Sequence, residues 1–179
     1  MTAHKPRIPA LNDDAAPSGC RAVFQQLYDA EGLVPNLVRV VANSPAVLEG
    51  YQQWTRALEG SSLDEAMRRR IALAVASLLG ATYCMASNRA FGRAAGLSDA
   101  EIADALRLHS PSTEIQAVFC LIRLLIAGER IDDCHLTRVR RAGWDDGAIV
   151  EIVAIVSTCL FHAMLDRVAR VPVDFPETP

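Results

Sequence analysis

The chain reads as all-α, a single packed helical domain, on three observations. Apolar residues return at three- and four-residue spacing in one segment after another. Examples are Val47, Leu48, Tyr51, Trp54 and Leu58, then Met67, Ile71, Ala74, Val75 and Leu78, then Ile149, Ile152, Val153, Val156 and Leu160. Helix-start signals precede these segments: Ser44-Pro45, Ser62-Leu63-Asp64-Glu65 and Ser98-Asp99-Ala100-Glu101. Finally, no stretch of any length alternates at strand period, and no Asn-Gly pair offers a hairpin.

Taken in order, residues 1–18 form a polar, proline-bearing arm, expected to pack loosely or on a partner subunit, and residues 19–179 form the helical domain. A first helix is predicted near Gly19 to Ala30, with Gly32 closing it in the left-handed conformation that glycine adopts without steric cost. Pro35-Asn36 opens a short helix to Val41, and Ser44-Pro45 starts another that Gly60 ends. The Ser62-to-Glu65 box is expected to cap the next helix, which turns apolar on every side after two turns and so should run through the core. A helix opening near Thr82 ends close to Ala95, before Gly96, and the box at Ser98 starts a short one to Leu108. Further helices are predicted over Glu114 to Ala127, from Asp132 or Asp133 to Arg141, and from Asp145 onward through Ala163. The prolines of Val171-Pro172-Val173-Asp174-Phe175-Pro176 keep the tail extended.

Composition narrows the function classes. In 179 residues, a hydrophobic share of 51% and a charged share of 22% suit a folded globular chain rather than a disordered one. A formal net charge of −3 gives no electrostatic reason to expect nucleic acid or an anionic membrane as partner. Met1 to Asp14 lacks the apolar core of a signal peptide, and Gly, Ser, Thr or charged residues interrupt the apolar runs, so no membrane span is expected and the cytoplasm is the default location. No Gly-rich phosphate loop is present.

The five cysteines (Cys20, Cys84, Cys120, Cys134 and Cys159) are scattered and odd in number, which argues for free thiols rather than a disulfide framework. Cys159-x-x-His162 is the one ligand-like pair. It stands inside a strongly apolar helix without further ligands in register, so no metal is assigned.

The chemistry-bearing stretch is Gly80-Ala81-Thr82-Tyr83-Cys84-Met85-Ala86-Ser87-Asn88-Arg89-Ala90, at the hand-over between two helices. It puts Cys84 in a first helical turn, near the positive end of the helix dipole where a thiolate is favoured, with Asn88 four residues on along the same face. The frame RRRIALAVASLLGATYCMASNRAFGRAAGLSDAEI resembles the carboxymuconolactone decarboxylase and alkylhydroperoxidase D superfamily, and the likeness extends from about Gly50 to the end. Peroxidases of that family carry a glutamate upstream of a Cys-x-x-Cys-x-x-x-His segment, usually with tyrosine before the second cysteine. Tyr83 and Cys84 match the second half; Ala81 stands at the first cysteine, Asn88 at the histidine, and Arg69 at or beside the glutamate.

That resemblance implies the family's helical fold, association into homo-oligomers through apolar helices, and a small-molecule substrate held between helices. Ala81 cannot resolve a sulfenic acid, and Asn88 can orient a substrate but cannot act as a base near neutral pH. Arg69 exchanges a base for a fixed cation and suits a carboxylate. The leading expectation is therefore cofactor-free proton-transfer chemistry, decarboxylation or isomerisation, on a small organic acid. Arg69, Tyr83 and Asn88 would contact the substrate, with Cys84 and His162 as candidate catalytic groups. Two other readings stay open: a thiol antioxidant working through Cys84 alone, and a binding protein that has kept the fold and lost the chemistry. Each candidate also has a plain structural reading, as a core thiol, a satisfied core histidine, a contact amide or a solvated arginine.

Overall fold

The computed structural model describes residues 5–175, and every regular element among them is a helix. These are α1 (Ser18–Glu31), α2 (Asn36–Val41), α3 (Pro45–Glu59), α4 (Glu65–Leu79), α5 (Thr82–Ala94), α6 (Asp99–Leu106), α7 (Thr113–Ala127), α8 (Asp133–Arg141) and α9 (Asp146–Ala169).

α4 is the hub, packing against α5, α6, α7 and α9. Its run from Ile71 to Ala76 is buried on every side, as the all-round apolar sequence requires. Ile71, Leu73 and Val75 meet Phe119 and Ile122 of α7 and Ile152 and Val156 of α9 in the main core. A second cluster joins Ala76, Tyr83, Cys84 and Ala163 to the tail residues Val171 and Phe175. Gly80 lets α4 hand over to α5 within two residues: its φ of 60° is left-handed, and Ala81 N–H then donates back to Ala76 O at 3.0 Å.

The caps follow the sequence with one exception. Ser44, Ser112 and Asp145 accept from the N–H three residues on, and Ser98 with Glu101 completes a reciprocal box. At α4 the cap is Asp64, whose carboxylate takes Met67 N–H at 2.6 Å, and not Ser62. Ser62 instead gives its hydroxyl and N–H to Glu151 of α9. An anion at the N-terminus also complements the helix dipole, which a serine hydroxyl does not.

The described part of the arm is neither loose nor dependent on a partner. Arg7 and Ile8 donate to Ala169 O, Asn43 Nδ2 donates to Pro9 O, and Arg39 of α2 ties down Leu11 O and the Asp13 carboxylate. Ala16 is buried at its end. The expectation that no stretch reaches membrane length also fails: α9 is long and apolar enough by length and composition, because Ser157 and Thr158 barely dilute its hydropathy. One face of α9 (Ile152, Ile155, Val156, Ala163) lies in this chain's own core.

Candidate active site

A cavity of about 470 Å³ opens between α3, α4, α5 and α9, with α1 and α2 closing one side. Every candidate residue named from the sequence lines it: Arg69, Tyr83, Cys84, Asn88 and His162. The sequence reading missed Tyr51 of α3, Phe91 of α5 and Cys159 of α9, which face the same space. The i,i+3 spacing of Cys159 and His162 was a usable signal, and so was Tyr51 on the apolar stripe of its helix. Their convergence with α4 needs the tertiary fold.

Arg69 reaches this cavity from α4. Its guanidinium lies over the Phe91 ring, 4.7 Å from the centroid, and Nη2 is 3.3 Å from Glu65 one turn earlier. Its Nε is buried and has no hydrogen-bond partner, so the arginine carries an unused donor at the cavity wall. The flanking arginines are engaged elsewhere: Arg68 donates to Leu63 O at 2.7 Å, and Arg70 pairs with Glu101 at 2.7 Å. The three arginines are thus not one solvated cluster.

His162 comes from α9. Its Nε2 lies 3.0 Å from the Tyr51 hydroxyl, and the two rings meet edge-on with centroids 5.4 Å apart. Burial and then the positive charge of Arg69 pull its pKa down to about 4, so the imidazole is neutral at pH 7. A neutral ring has one nitrogen free to accept a proton.

Cys84 sits in the first turn of α5, as expected, but is not a thiolate. Its pKa is pushed up to about 12, first by burial, then by the negative charge of Asp166. Asp166 takes the place that a thiolate would have used: its carboxylate accepts Tyr83 N–H at 3.2 Å at the N-terminus of α5. Cys159 on the facing helix is likewise pushed up to about 12 by burial. Among the described residues no disulfide forms, and no three His, Cys, Asp or Glu side chains gather as a metal site.

Asn88 is buried and gives Nδ2 to Cys84 O at 2.8 Å, one turn back along α5. The Tyr83 hydroxyl accepts Leu37 N–H at 3.2 Å, and burial raises its pKa far above the phenol range. Tyr83 therefore ties α5 to α2 while its ring forms part of the wall. The other histidines lie outside the cavity: His109 faces Asp104, and His135 Nδ1 accepts Asp132 N–H in the first turn of α8.

Residues 45–119, from the start of α3 to the middle of α7, match the model of the carboxymuconolactone decarboxylase family. Several solved structures share the whole fold. A protein from Ralstonia eutropha JMP134, described as an alkylhydroperoxidase AhpD core and peroxidase-related protein, superposes with a TM-score of 0.86 at 18% identity, over 96% of this chain and 94% of its own. A peroxidase-related protein from Silicibacter sp. TM1040 gives 0.83 at 16% identity, over 96% and 94%. The chain belongs to the carboxymuconolactone decarboxylase and alkylhydroperoxidase D-like superfamily. A cysteine-to-alanine variant of the debrominase Bmp8 in complex with 2,3,4-tribromopyrrole gives a TM-score of 0.81 at 16% identity, over 96% and 94%. At such identities the superpositions establish the shared fold of this superfamily member and no more. No curated protein matches its sequence.

Proposed function

We propose that this superfamily member binds a small organic monocarboxylate in the 470 Å³ cavity and moves a proton on it, in an isomerisation or decarboxylation that uses protein groups alone. One observation carries the reading: Arg69, with an unpartnered buried Nε, and the neutral His162–Tyr51 pair line the same cavity. The carboxylate would take the guanidinium through charge-assisted hydrogen bonds, and the apolar body would lie against Phe91, Ala72 and Ile155. Binding also prepares the base. An anion on Arg69 offsets the positive charge that disfavours the imidazolium, so His162 becomes more basic once substrate is present.

A thiol-peroxidase reading ranks below this one. Cys84 and Cys159 share the cavity, but both thiols are held protonated, and attack on a peroxide requires the thiolate.

The test pairs binding with proton exchange. A panel of small carboxylates and their amides is titrated against the protein, and solvent deuterium incorporation into the bound acids is followed by NMR. Acids should bind in preference to amides, and exchange at carbon should be lost in His162→Gln. Equal binding of acid and amide, or exchange that survives His162→Gln, overturns the reading.

A further inference from the structure

α9 buries one face in the core and leaves the other bare along its whole length. Val150, Val153, Ser157, Phe161, Met164 and Val168 are all exposed, at spacings of 3, 4, 4, 3 and 4 residues, the seam pattern of a helix that packs lengthwise on another. Val150 is 68% and Met164 60% exposed, a poor arrangement for large apolar side chains in water. Beside the seam, α3 and α9 leave an open hollow of about 360 Å³, lined by Val47, Gly50, Trp54, Ser157 and Phe161, which no side chain of this chain fills.

The seam is symmetric about Ser157. Val153 and Phe161 lie four residues to either side, and Val150 and Met164 seven. An antiparallel copy crossing at Ser157 would therefore set Val150 against Met164 of the partner subunit, and Val153 against Phe161 of the partner subunit. Ser157, the one small residue of the seam, lets the two backbones approach at the crossing. The ends are complementary too: Asp146 lies in the first turn and Arg167 in the last, so an antiparallel pair brings acidic and basic ends together. Asp146 already receives Arg140 at 2.7 Å and has oxygens to spare for a second cation.

We propose that this face is covered by a second copy of the chain, α9 packed antiparallel on α9 about a two-fold axis at Ser157, with a partner side chain in the Trp54–Phe161 hollow. A bilayer fits less well. A surface-lying helix needs a basic rim, whereas this rim mixes Asp146 and Glu151 with Arg167, and the chain carries a net charge of −3. The contact also reaches the catalytic cavity. Phe161 touches both Tyr51 and His162, with ring centroids 6.1 Å apart in each case, and Tyr51 and Thr158 line both hollows. Pairing would thus form the back wall behind the His162–Tyr51 bond.

The test uses the full chain at micromolar concentration. Sedimentation should show a dimer for the parent and a monomer for Met164→Glu. Gly50→Phe should also be monomeric, since a side chain built at Gly50 points into open space and would fill the hollow without disturbing the fold. In a Cys134→Ser background, Ser157→Cys should give a covalent dimer on mild oxidation, and Glu129→Cys, remote on the far side of α7, should not. A monomeric parent, a dimer that survives both seam variants, or cross-linking equal at both cysteines overturns the proposal. So does flotation of a monomeric parent with phosphatidylcholine vesicles, which would make the face a membrane contact.

Discussion

The Nε2 of His162 lies 3.0 Å from the hydroxyl of Tyr51, joining α9 to α3 across the wall of the cavity. Each is the other's polar contact at the end of a largely apolar helix face. Replacing Tyr51 by phenylalanine keeps the ring against Phe161 and His162 and removes only the oxygen. Loss of a hydrogen bond of this kind costs about 1 kcal/mol of stability. Proton exchange on a bound carboxylate should fall more steeply, by on the order of tenfold to a hundredfold, the scale of a general acid–base contribution. Urea titration and NMR exchange on Tyr51→Phe measure the two effects separately. Unchanged exchange with lowered stability would assign the pair a purely structural role.

His162 should also write a pH dependence into stability. Its folded pKa, about 4, lies below the ordinary value of 6.5, so the unfolded chain takes up the proton first as pH falls. Stability from this group is complete above about pH 6.5, declines toward about pH 4 and is level below, with a total loss of up to about 3 kcal/mol. Asp166 contributes the opposite slope. Burial raises its carboxyl, so below neutrality the native state gains from its protonation. The difference between parent and His162→Gln isolates the histidine. The variant should lose the decline between pH 7.5 and pH 5 in urea unfolding, and an identical pH profile would show that the imidazole is not held neutral.

The thiols give a third expectation. With Cys84 and Cys159 pushed up to about 12, only about one molecule in ten thousand or fewer carries either thiolate near pH 7. Iodoacetamide should therefore label the exposed Cys134 first and leave Cys84 and Cys159 to react slowly, as read by peptide mass mapping. Peroxide turnover with a dithiol donor should be very weak in the parent and rise in a variant carrying Ala81→Cys, Asn88→His and Arg69→Glu. Robust turnover in the parent, abolished by Cys84→Ser, would put the thiol reading first.

Periodicity and caps made the helices legible in the sequence because both are local. Ser44-Pro45, the Ser98–Glu101 box and the left-handed Gly32, Gly80 and Gly128 stand where the residues alone put them. Ser62 misled because a hydroxyl there satisfies Glu151 across the fold, a contact no local pattern encodes. The candidate site was legible in part for the same reason. Cys84 and Asn88 share a turn of one helix, but the helix dipole favoured a thiolate only until Asp166, 82 residues later in the chain, was placed at that helix's N-terminus. Tyr51 and Cys159 looked like ordinary members of apolar stripes. Only the crossing of α3, α4 and α9 turns them toward Arg69.

The last prediction concerns Arg69 and its neighbour Glu65. The two are 3.3 Å apart, both partly exposed, and one turn apart on α4, a pair worth about 0.3–0.5 kcal/mol. An incoming carboxylate therefore displaces little when it competes for the guanidinium. It gains the buried Nε, which has no partner in the free protein, and charge-assisted bonds of about 1.5–3 kcal/mol each. Arg69→Ala should weaken carboxylate binding by roughly tenfold or more, at 1.4 kcal/mol per decade. Arg69→Lys should restore only part of it, since an ammonium lacks the planar fork and the stacking on Phe91. Glu65→Gln tests the competition from the other side. Removing the carboxylate that holds Nη2 should tighten binding of the acids, by about twofold if the pair is worth what exposed pairs usually are, and leave the amides unaffected. Melting temperatures should move little in any of the three, because the core face of α4 is carried by Ile71, Leu73 and Val75. Calorimetric titration of the four proteins with one acid and its amide decides the matter. A Glu65→Gln protein that binds the acid more weakly would show that the glutamate holds Arg69 in its binding pose rather than competing for it.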